Sequence, residues 1–361
     1  GRVKTLHPKI HAGILADRNL KSHKKDLKSN NYNEIDLIVV NFYPFENSIA
    51  QTTNHRKIIE NIDIGGPTMV RAAAKNYSSV TVITNISQYE NLIKNIEENK
   101  GATSDDFRKQ VALEAFGETA YYESMIYNYF NQFCKNKFPR KMVIGFNLIE
   151  KLRYGENPHQ SGSIYTLSKN LGLEKLHGKH LSYNNYADIF SAIQISRTFP
   201  KKRGTVIVKH GNPCGVSIHK NNSESFKMAY KCDPLSAFGG IISCNFKINK
   251  KIAIELNKIF FEVIIADEFD KNALYILKKK KNVRLIKSKN YRISNKNHLI
   301  SNMNFVLTQD TDIKSFKFND FKVVSKIKPS KKTFENLIFA FNVCRFVKSN
   351  AIVLSSNNST I

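Results

Sequence analysis

The segment VKHGNPCGV, residues 208–216, places an ammonium, an imidazole, an amide and a thiol directly after a β-branched run. An imidazole can take up a proton near neutral pH, and a nearby ammonium favours its neutral, basic form. We predict that His210 transfers a proton and that Lys209 stabilises a developing negative charge. A position after a strand puts both residues at the end of a sheet, where α/β proteins form their sites.

The thiol of Cys214 makes HGNPC match part of the pattern of zinc deaminases. That pattern requires H-x-E together with P-C-x-x-C. Here glycine and asparagine follow His210, and no second cysteine follows Cys214. We therefore predict no metal site and regard Cys214 as a bystander. A tight turn at Asn212–Pro213 is predicted to orient the preceding pair.

A second candidate site is DIGGPTMVRAAAKN, residues 63–76, where two glycines and a proline stand at a predicted helix start. Glycine permits close approach of a ligand, proline suits the first helical turn, and the exposed N–H groups attract anions. A helix can also begin in this way without a ligand. The surroundings favour a site: Asp63 and Lys75 lie in this segment, and other predicted loop edges supply Arg2, Lys4 and Tyr43.

The elements that must position these residues alternate between strand and helix. Apolar, β-branched runs predict strands over residues 35–45 and 80–84, and helical patterns occupy 55–62 and 65–76. Continuous apolar strands separated by helices indicate a parallel sheet covered on both faces. A long helix follows, for which Ser104 is the predicted N-cap.

Periodicity is lost around CKNKFPRKM, which predicts a boundary between domains of residues 1–138 and 139–361. The alternation then resumes, so the predicted fold class is α/β throughout. Strands are predicted at SIYTL, TVIVK, GIISCN, FFEVIIA, VRLIK and NAIVL (350–354), and helices at YADIFSAIQISRTF, ESFKMAYK, ALYILKKKK and 333–347.

Composition limits the classes of function. A chain of 361 residues exceeds one ordinary core, and no stretch reaches the roughly 18–20 apolar residues of a membrane span. The five cysteines form no CxxC pair, which predicts reduced thiols and a cytoplasmic location. The net charge of +26 would suit nucleic acid. Because the lysines are scattered, a field that attracts small anionic substrates is the better interpretation.

Seven ordered blocks carry a family resemblance: GRVKTLHPKIHAGIL, NFYPF, IDIGGPTMVRAAAKN, LRYGENPHQ, VKHGNPCG, DPLSAFGG and FEVIIA. They resemble the bifunctional purine-biosynthesis enzymes that join aminoimidazole carboxamide ribonucleotide (AICAR) transformylase to inosine monophosphate (IMP) cyclohydrolase. The resemblance covers nearly the whole chain. It implies a methylglyoxal-synthase-like parallel-sheet domain followed by a cytidine-deaminase-like transformylase domain.

For the first domain, the resemblance implies closure of formyl-AICAR to IMP with loss of water. An amide nitrogen attacks the formyl carbon, so donors must be aimed at the developing charge. By motif, the resemblance assigns catalysis to Lys4, Tyr43, Asp63 and Lys75. It assigns nucleotide binding to Arg2, Thr5, Asn41, Ile64, Gly65 and Gly66. Taken singly, Tyr43 is equally well a half-buried loop aromatic, and Lys75 a solvated helix lysine.

For the second domain, it implies transfer of a formyl group from 10-formyltetrahydrofolate, the co-substrate, to the 5-amine of AICAR. That amine is a poor nucleophile because its lone pair is delocalised, so the reaction needs the base and the cation that His210 and Lys209 provide. The resemblance adds Asn350 near the formyl carbonyl and His159 as an aid to His210. It assigns AICAR contacts to Arg153, Tyr154, Asn185, Phe238, Gly239, Glu262 and, more loosely, Lys281.

The resemblance further implies a homodimer with sites built from both subunits, and a chain that is longer at both ends. The expected additions are an N-terminal segment with phosphate contacts and a GIGAGQ region with a later arginine. SSNNST departs from the lysine-bearing AKNGQT of the family. Two other classes stay open, a nucleotide-binding protein without catalysis and a basic nucleic-acid-binding protein. We expect small-molecule substrates, with no membrane and no specific nucleic-acid partner.

Overall fold

The chain forms two compact units, divided between Phe146 and Asn147. A computed structural model describes residues 5–134, 137–167, 170–291, 298–302 and 304–361.

The division lies C-terminal to the boundary predicted between residues 138 and 139. The intervening segment runs back along the long helix of the first unit. The Tyr127 hydroxyl donates to the Lys141 carbonyl, and the Asn128 side-chain amide donates to the Val143 carbonyl at 2.9 Å. These contacts attach the segment to the first unit. Because the segment has no secondary-structure periodicity, sequence patterns do not reveal the attachment.

The first unit is mainly helical around a pair of short strands. Its helices are α1 (Pro8–Leu15), α2 (Lys21–Ser29), α3 (Phe45–Gln51), α4 (His55–Glu60), α5 (Gly65–Lys75), α6 (Tyr89–Glu98) and α7 (Asp105–Asn131). Its strands are β1 (Leu37–Val39) and β2 (Thr81–Ile83).

The two strands pair in parallel, with Ile38 opposite Val82. Buried residues of α5 and α7, among them Val70 and Val111, pack around the pair. The α7 helix begins where predicted, because the Ser104 hydroxyl accepts the Phe107 N–H at 3.2 Å. The predicted strands and helices of this half are thus confirmed in type, although the strands are shorter than the apolar runs.

The second unit contains a larger sheet. Its strands are β3 (Asn147–Leu152), β4 (Gly162–Thr166), β5 (Glu174–His177), β6 (Gly204–Lys209), β7 (Asn212–Ile218), β8 (Ile241–Ile248), β9 (Val263–Phe269), β10 (Arg284–Lys287), β11 (His298–Asn302), β12 (Phe305–Gln309), β13 (Ser355–Ser356) and β14 (Ser359–Thr360). Its helices are α8 (Tyr183–Arg197), α9 (Asn222–Cys232), α10 (Pro234–Ala237), α11 (Lys250–Asn257), α12 (Lys271–Leu277) and α13 (Lys331–Cys344).

Eight of these strands form one mixed sheet in the order β13-β14-β7-β6-β8-β9-β10-β5. Strands β8, β9 and β10 run parallel, and β6 is antiparallel to both of its neighbours. Side chains of β6 alternate between two cores: Ile207 packs with Phe226 of α9, whereas Val208 packs with Ile189 of α8. The sheet is therefore covered by α8 on one face and by α9 on the other, in a mixed α/β fold.

Val208 near the end of β6 lies opposite Ile241, and Ile241 lies beside Val263, where β8 and β9 begin. We call this end of the sheet, with the loops that leave it, the site edge. Among the described residues, no helix combines the length and the apolar character needed to cross a membrane.

Two local predictions were wrong. NAIVL does not form a strand, since the pairing begins only at Ser355. Asn212 and Pro213 do not form a turn but begin β7, with Asn212 paired to Lys209. The turn lies between Lys209 and Asn212, at His210 and Gly211.

Candidate functional site

The predicted proton-transfer residue occupies a two-residue hairpin turn between β6 and β7. His210 and Gly211 have φ angles of 53° and 73°, between the paired residues Lys209 and Asn212. Two consecutive left-handed residues are the conformation of a type I′ hairpin, whose twist matches that of the strands. The turn exposes the imidazole at the site edge instead of burying it.

Lys209 ends β6 half-buried, and its ammonium reaches the next block of the predicted site. Its Nζ donates to the carbonyl oxygen of Phe238 at 2.8 Å. The positive charge also acts on Asp233, whose carboxyl pKa is lowered first by hydrogen bonds from Ser236 and further by Lys209. The structure thus brings the KH pair and the SAFGG segment together.

The first turns of α8 connect two more predicted blocks to the hairpin turn. The Asn184 side chain donates to the carbonyl of Glu156 in the RYGENPHQ loop at 3.2 Å. The buried Asn185 donates through Nδ2 to Glu262 at 2.8 Å. One turn further along, the Asp188 carboxylate accepts the backbone N–H groups of the hairpin turn.

Asn185 has a second role in the same place. Its Oδ1 accepts the Ser182 N–H and its own N–H is accepted by the Ser182 hydroxyl, which forms a capping box at the start of α8. Glu262 lies 3.8 Å from Arg284 as well. The carboxylate and the amide are therefore held by partners on three elements.

A segment before β13 lies against the hairpin turn. The Lys348 N–H donates to the Asn212 side chain at 3.3 Å, and a Cβ built on Gly211 would lie 3.7 Å from Lys348 Nζ. A second ammonium therefore stands beside the turn. The exposed Asn350 follows two residues later, so the predicted formyl-carbonyl contact lies on the segment that reaches the site edge.

Four predicted residues have no described contact that brings them to the KH pair. Arg153, Tyr154 and His159 lie in the β3–β4 loop, where the Arg153 guanidinium stands 5.7 Å from the Tyr154 ring centre. Lys281 is exposed. Its neighbour Lys280 donates to the Ile259 carbonyl at 2.9 Å, and burial lowers its pKa. The roles of these four residues stay predictions.

The Cys214 thiol is half-buried, and its Sγ lies 3.6 Å from the Ile207 carbonyl. Burial raises its pKa to about 11, so the group is a thiol at neutral pH, without the thiolate that a nucleophile or a zinc ligand requires. The described residues contain no cluster of three or more His, Cys, Asp or Glu side chains placed to hold a metal ion.

In the first unit, Asp63 organises the loop before α5. Its Oδ1 accepts the Gly66 N–H at 2.9 Å, and its Oδ2 accepts the Tyr43 N–H at 3.4 Å. The Asp63 N–H donates to the Tyr122 hydroxyl at 2.8 Å, and burial raises the pKa of that phenol. The predicted residues Tyr43, Asp63 and Gly66 therefore lie together.

The remaining predicted residues of this unit are placed as follows. A Cβ on Gly65 would collide with the Thr5 hydroxyl, so Thr5 lies at the start of α5. Asn41 donates to the Tyr89 hydroxyl at 3.5 Å, and Ile64 is exposed. Lys75 ends α5, about 15 Å along the helix axis from Gly65, with no described contact to Asp63. Arg2 and Lys4 lie outside the described residues.

Several residues of these clusters are not predictable from the sequence motifs: Tyr122, Asn184, Asp188, Lys280 and Lys348. Each is an ordinary residue in a helix, a loop or a lysine run, and its contacts are long-range. A capping pattern at SYNN could have indicated a helix start there. Nothing in the local sequence singles out Asp188.

A separate cavity of about 410 Å³ lies at the opposite end of the β6–β7 hairpin. None of the predicted site residues contributes to it. Most of the residues that line it are polar or basic in type: Arg203, Ile218, His219, Lys220, Lys332, Glu335, Asn336, Asn357 and Asn358.

Comparison with known proteins adds independent findings. A family model described as "AICARFT/IMPCHase bienzyme" matches residues 73–361. The "Bifunctional purine biosynthesis protein PurH" of Thermoanaerobacter sp. (strain X514) is 44% identical over 366 residues, covering 100% of this chain and 72% of that protein. The protein of the same name from Persephonella marina (strain DSM 14350 / EX-H1) is 42% identical over 371 residues, covering 100% and 71%.

A solved structure titled "Crystal structure of ForH" is 29% identical and covers 36% of this chain and 68% of its own. Its TM-score of 0.31 is too low to support an argument about shared architecture.

Proposed function

Because the chain belongs to the AICARFT/IMPCHase bienzyme family, we propose that it transfers a formyl group to AICAR and closes the product to IMP. The formyl donor is 10-formyltetrahydrofolate. One structural observation supports this most directly: the first turns of α8 contact the RYGENPHQ, KHG and FEVIIA blocks at one site edge. Separate stretches of sequence thereby meet in space, as a shared substrate site requires.

Formyl transfer is proposed at the site edge of the second unit. The AICAR amine nitrogen attacks the formyl carbon while His210 accepts the amine proton. The tetrahedral oxyanion then collapses, the bond between the formyl carbon and N10 of the folate breaks, and the proton taken up by His210 passes to N10 to give tetrahydrofolate. Lys209 uses one N–H in its bond to Phe238, which leaves two ammonium donors for the oxyanion.

Nucleotide binding is proposed for the residues around this pair. The Asn185–Glu262 pair is fixed by the α8 capping box and offers an amide and a carboxylate to polar groups of AICAR. Phe238 and Gly239 form the adjoining loop. Arg153, Tyr154, His159, Lys281 and Asn350 keep the roles that the sequence predicts.

Ring closure is proposed in the first unit around Asp63. The amide nitrogen attacks the formyl carbon, and the resulting hydroxyl leaves as water after proton transfer. The Gly66 and Tyr43 N–H groups orient the Asp63 carboxylate, and the exposed Tyr43 phenol is available as a proton donor. Thr5, Asn41 and the 64–66 backbone bind the nucleotide, with Arg2, Lys4 and Lys75 supplying positive charge.

The remaining expectations belong to the same proposal. The first domain is methylglyoxal-synthase-like and carries the cyclohydrolase, and the second is cytidine-deaminase-like and carries the transformylase. The protein is a cytoplasmic homodimer that acts on small molecules. Catalysis requires no metal.

The test is His210→Ala in the full-length protein. We expect formyl transfer to fall at least about 100-fold, the usual contribution of a positioned base, while cyclisation of supplied formyl-AICAR is unchanged. His219→Ala is the matched control, because His219 is an exposed histidine at the other end of the same hairpin. Tetrahydrofolate and IMP are measured separately.

Two results would contradict the proposal. Equal loss of both reactions in His210→Ala would refute the division between the two units. Binding of AICAR without any product from the unmodified protein would favour the alternative, a nucleotide-binding protein without catalysis.

A further inference from the structure

One carboxylate holds both residues of the hairpin turn that carries His210. Asp188 Oδ2 accepts the His210 N–H at 3.2 Å, and Oδ1 accepts the Gly211 N–H at 2.7 Å. The two oxygens therefore bridge consecutive amides. A hydrogen bond to a charged acceptor is stronger than one between neutral groups.

The backbone of His210 needs such support. Its φ of 53° lies in the left-handed region, which a residue with a Cβ occupies at an energetic cost. At an exposed turn, several backbone conformations compete, and each directs the imidazole differently. The two hydrogen bonds select the conformation in which both N–H groups point toward α8.

The position of Asp188 is itself fixed. It follows the α8 capping box by about one turn, and the adjacent Ile189 is fully buried in the core beneath the sheet. The packing of α8 thus determines where the carboxylate lies. Through the carboxylate, it determines the direction in which His210 leaves the backbone.

We infer that Asp188 is a positioning residue for formyl transfer, which acts by fixing the His210–Gly211 turn. This inference rests on the proposed function, since it assigns a task to a residue that does not itself contact the reacting atoms. It predicts that loss of the carboxylate impairs the chemical step more than AICAR binding.

The main variant is Asp188→Asn, which keeps the size of the side chain but turns its NH2 group toward one of the two N–H donors. We expect kcat for formyl transfer to fall about 10- to 100-fold, as a misplaced catalytic group does. The KM for AICAR should change less than about threefold, and cyclisation should keep its rate. Rates are expressed per folded protein, determined by circular dichroism.

The matched control is Asp270→Asn. Asp270 also accepts a backbone N–H, from Ala273 at 2.6 Å, but at the opposite end of β9 from the site edge. If the loss of any hydrogen bond between an aspartate and the backbone had this effect, kcat for formyl transfer would fall equally in both variants. Retained kcat in Asp188→Asn, or an equal loss in Asp270→Asn, would overturn the inference.

Gly211→Val provides a second test, in which Asp188 is left in place. It keeps the inference testable if Asp188→Asn fails to fold. Valine disfavours a φ of 73°, so kcat for formyl transfer should fall as in Asp188→Asn. Asparagine tolerates this conformation, so Gly211→Asn should keep the kcat of the unmodified protein. Equal kcat in the two Gly211 variants would contradict the inference. An inactive unmodified protein would instead refute the proposed function, so the two failures are distinguishable.

Discussion

At the scale of single residues, the chemistry of a side chain depends on its surroundings more than on its motif. Cys214 stands four residues from His210 in a segment that resembles part of a zinc site. Burial raises its pKa to about 11 and that of the fully buried Cys244 to about 12. Cys134, by contrast, is exposed. Reactivity should therefore follow burial and not the presence of a neighbouring histidine.

We predict that iodoacetamide at pH 8 modifies Cys134 first and leaves Cys214 and Cys244 nearly unreacted. With a pKa of about 11, only about 0.1% of Cys214 is thiolate at pH 8. Its rate should rise about tenfold per pH unit as pH increases toward 11. Peptide mass spectrometry after timed quenching measures the rates. Rapid alkylation of Cys214 at pH 8 would contradict its assignment as a bystander.

At the scale of elements, patterns in the sequence predicted the regular core. The β6, β8, β9 and β10 strands and the α5, α7 and α8 helices lie where the apolar runs indicate, because burial on both faces requires continuous hydrophobicity. β7 was missed because NPCGVSI begins with residues typical of turns. The left-handed turn at His210–Gly211 sets the pairing of β7 with β6. In the sequence KHG, only the glycine indicates a turn of this kind.

The candidate site was predictable only in part. Residues adjacent in the sequence, such as Lys209 and His210, could be identified by chemical type. Asp188 could not, because its role arises from a helix laid across the sheet. Lys280 and Lys281 share one lysine run, and only tertiary contact distinguishes them.

The junction between the Asp63 loop and α5 gives a test at this scale. A Cβ on Gly66 would lie 2.5 Å from Asp63 Oδ2, so Gly66→Ala must displace the carboxylate. We expect cyclisation to fall at least about tenfold with formyl transfer unchanged. Gly117→Ala is the control: its Cβ meets nothing within 4 Å in α7, so it should raise the free energy of unfolding by about 0.5–1 kcal/mol. Unchanged cyclisation in Gly66→Ala would contradict the site.

At the scale of the whole molecule, charge and division into units have separate consequences. The net charge of +26 comes from 56 basic and 30 acidic residues, and a field of this sign attracts anionic nucleotides and folates to both units. The proposed catalytic groups, however, are specific to each unit, with Asp63 in the first and His210 in the second. Both units thus attract anionic substrates, whereas each unit has its own proposed catalytic groups.

This division predicts complementation between two variants of the full-length protein that each lack one of the two reactions. Asp63→Asn should form formyl-AICAR without closing it, and His210→Ala should close supplied formyl-AICAR without forming it. Because the intermediate is a small molecule that can leave one site and enter another, an equal mixture of the two should convert AICAR to IMP. The double variant should not. IMP is followed by chromatography, with total protein held constant. If the mixture accumulates formyl-AICAR without IMP, His210→Ala has lost ring closure as well as formyl transfer, and the two reactions are not divided between Asp63 and His210 as proposed.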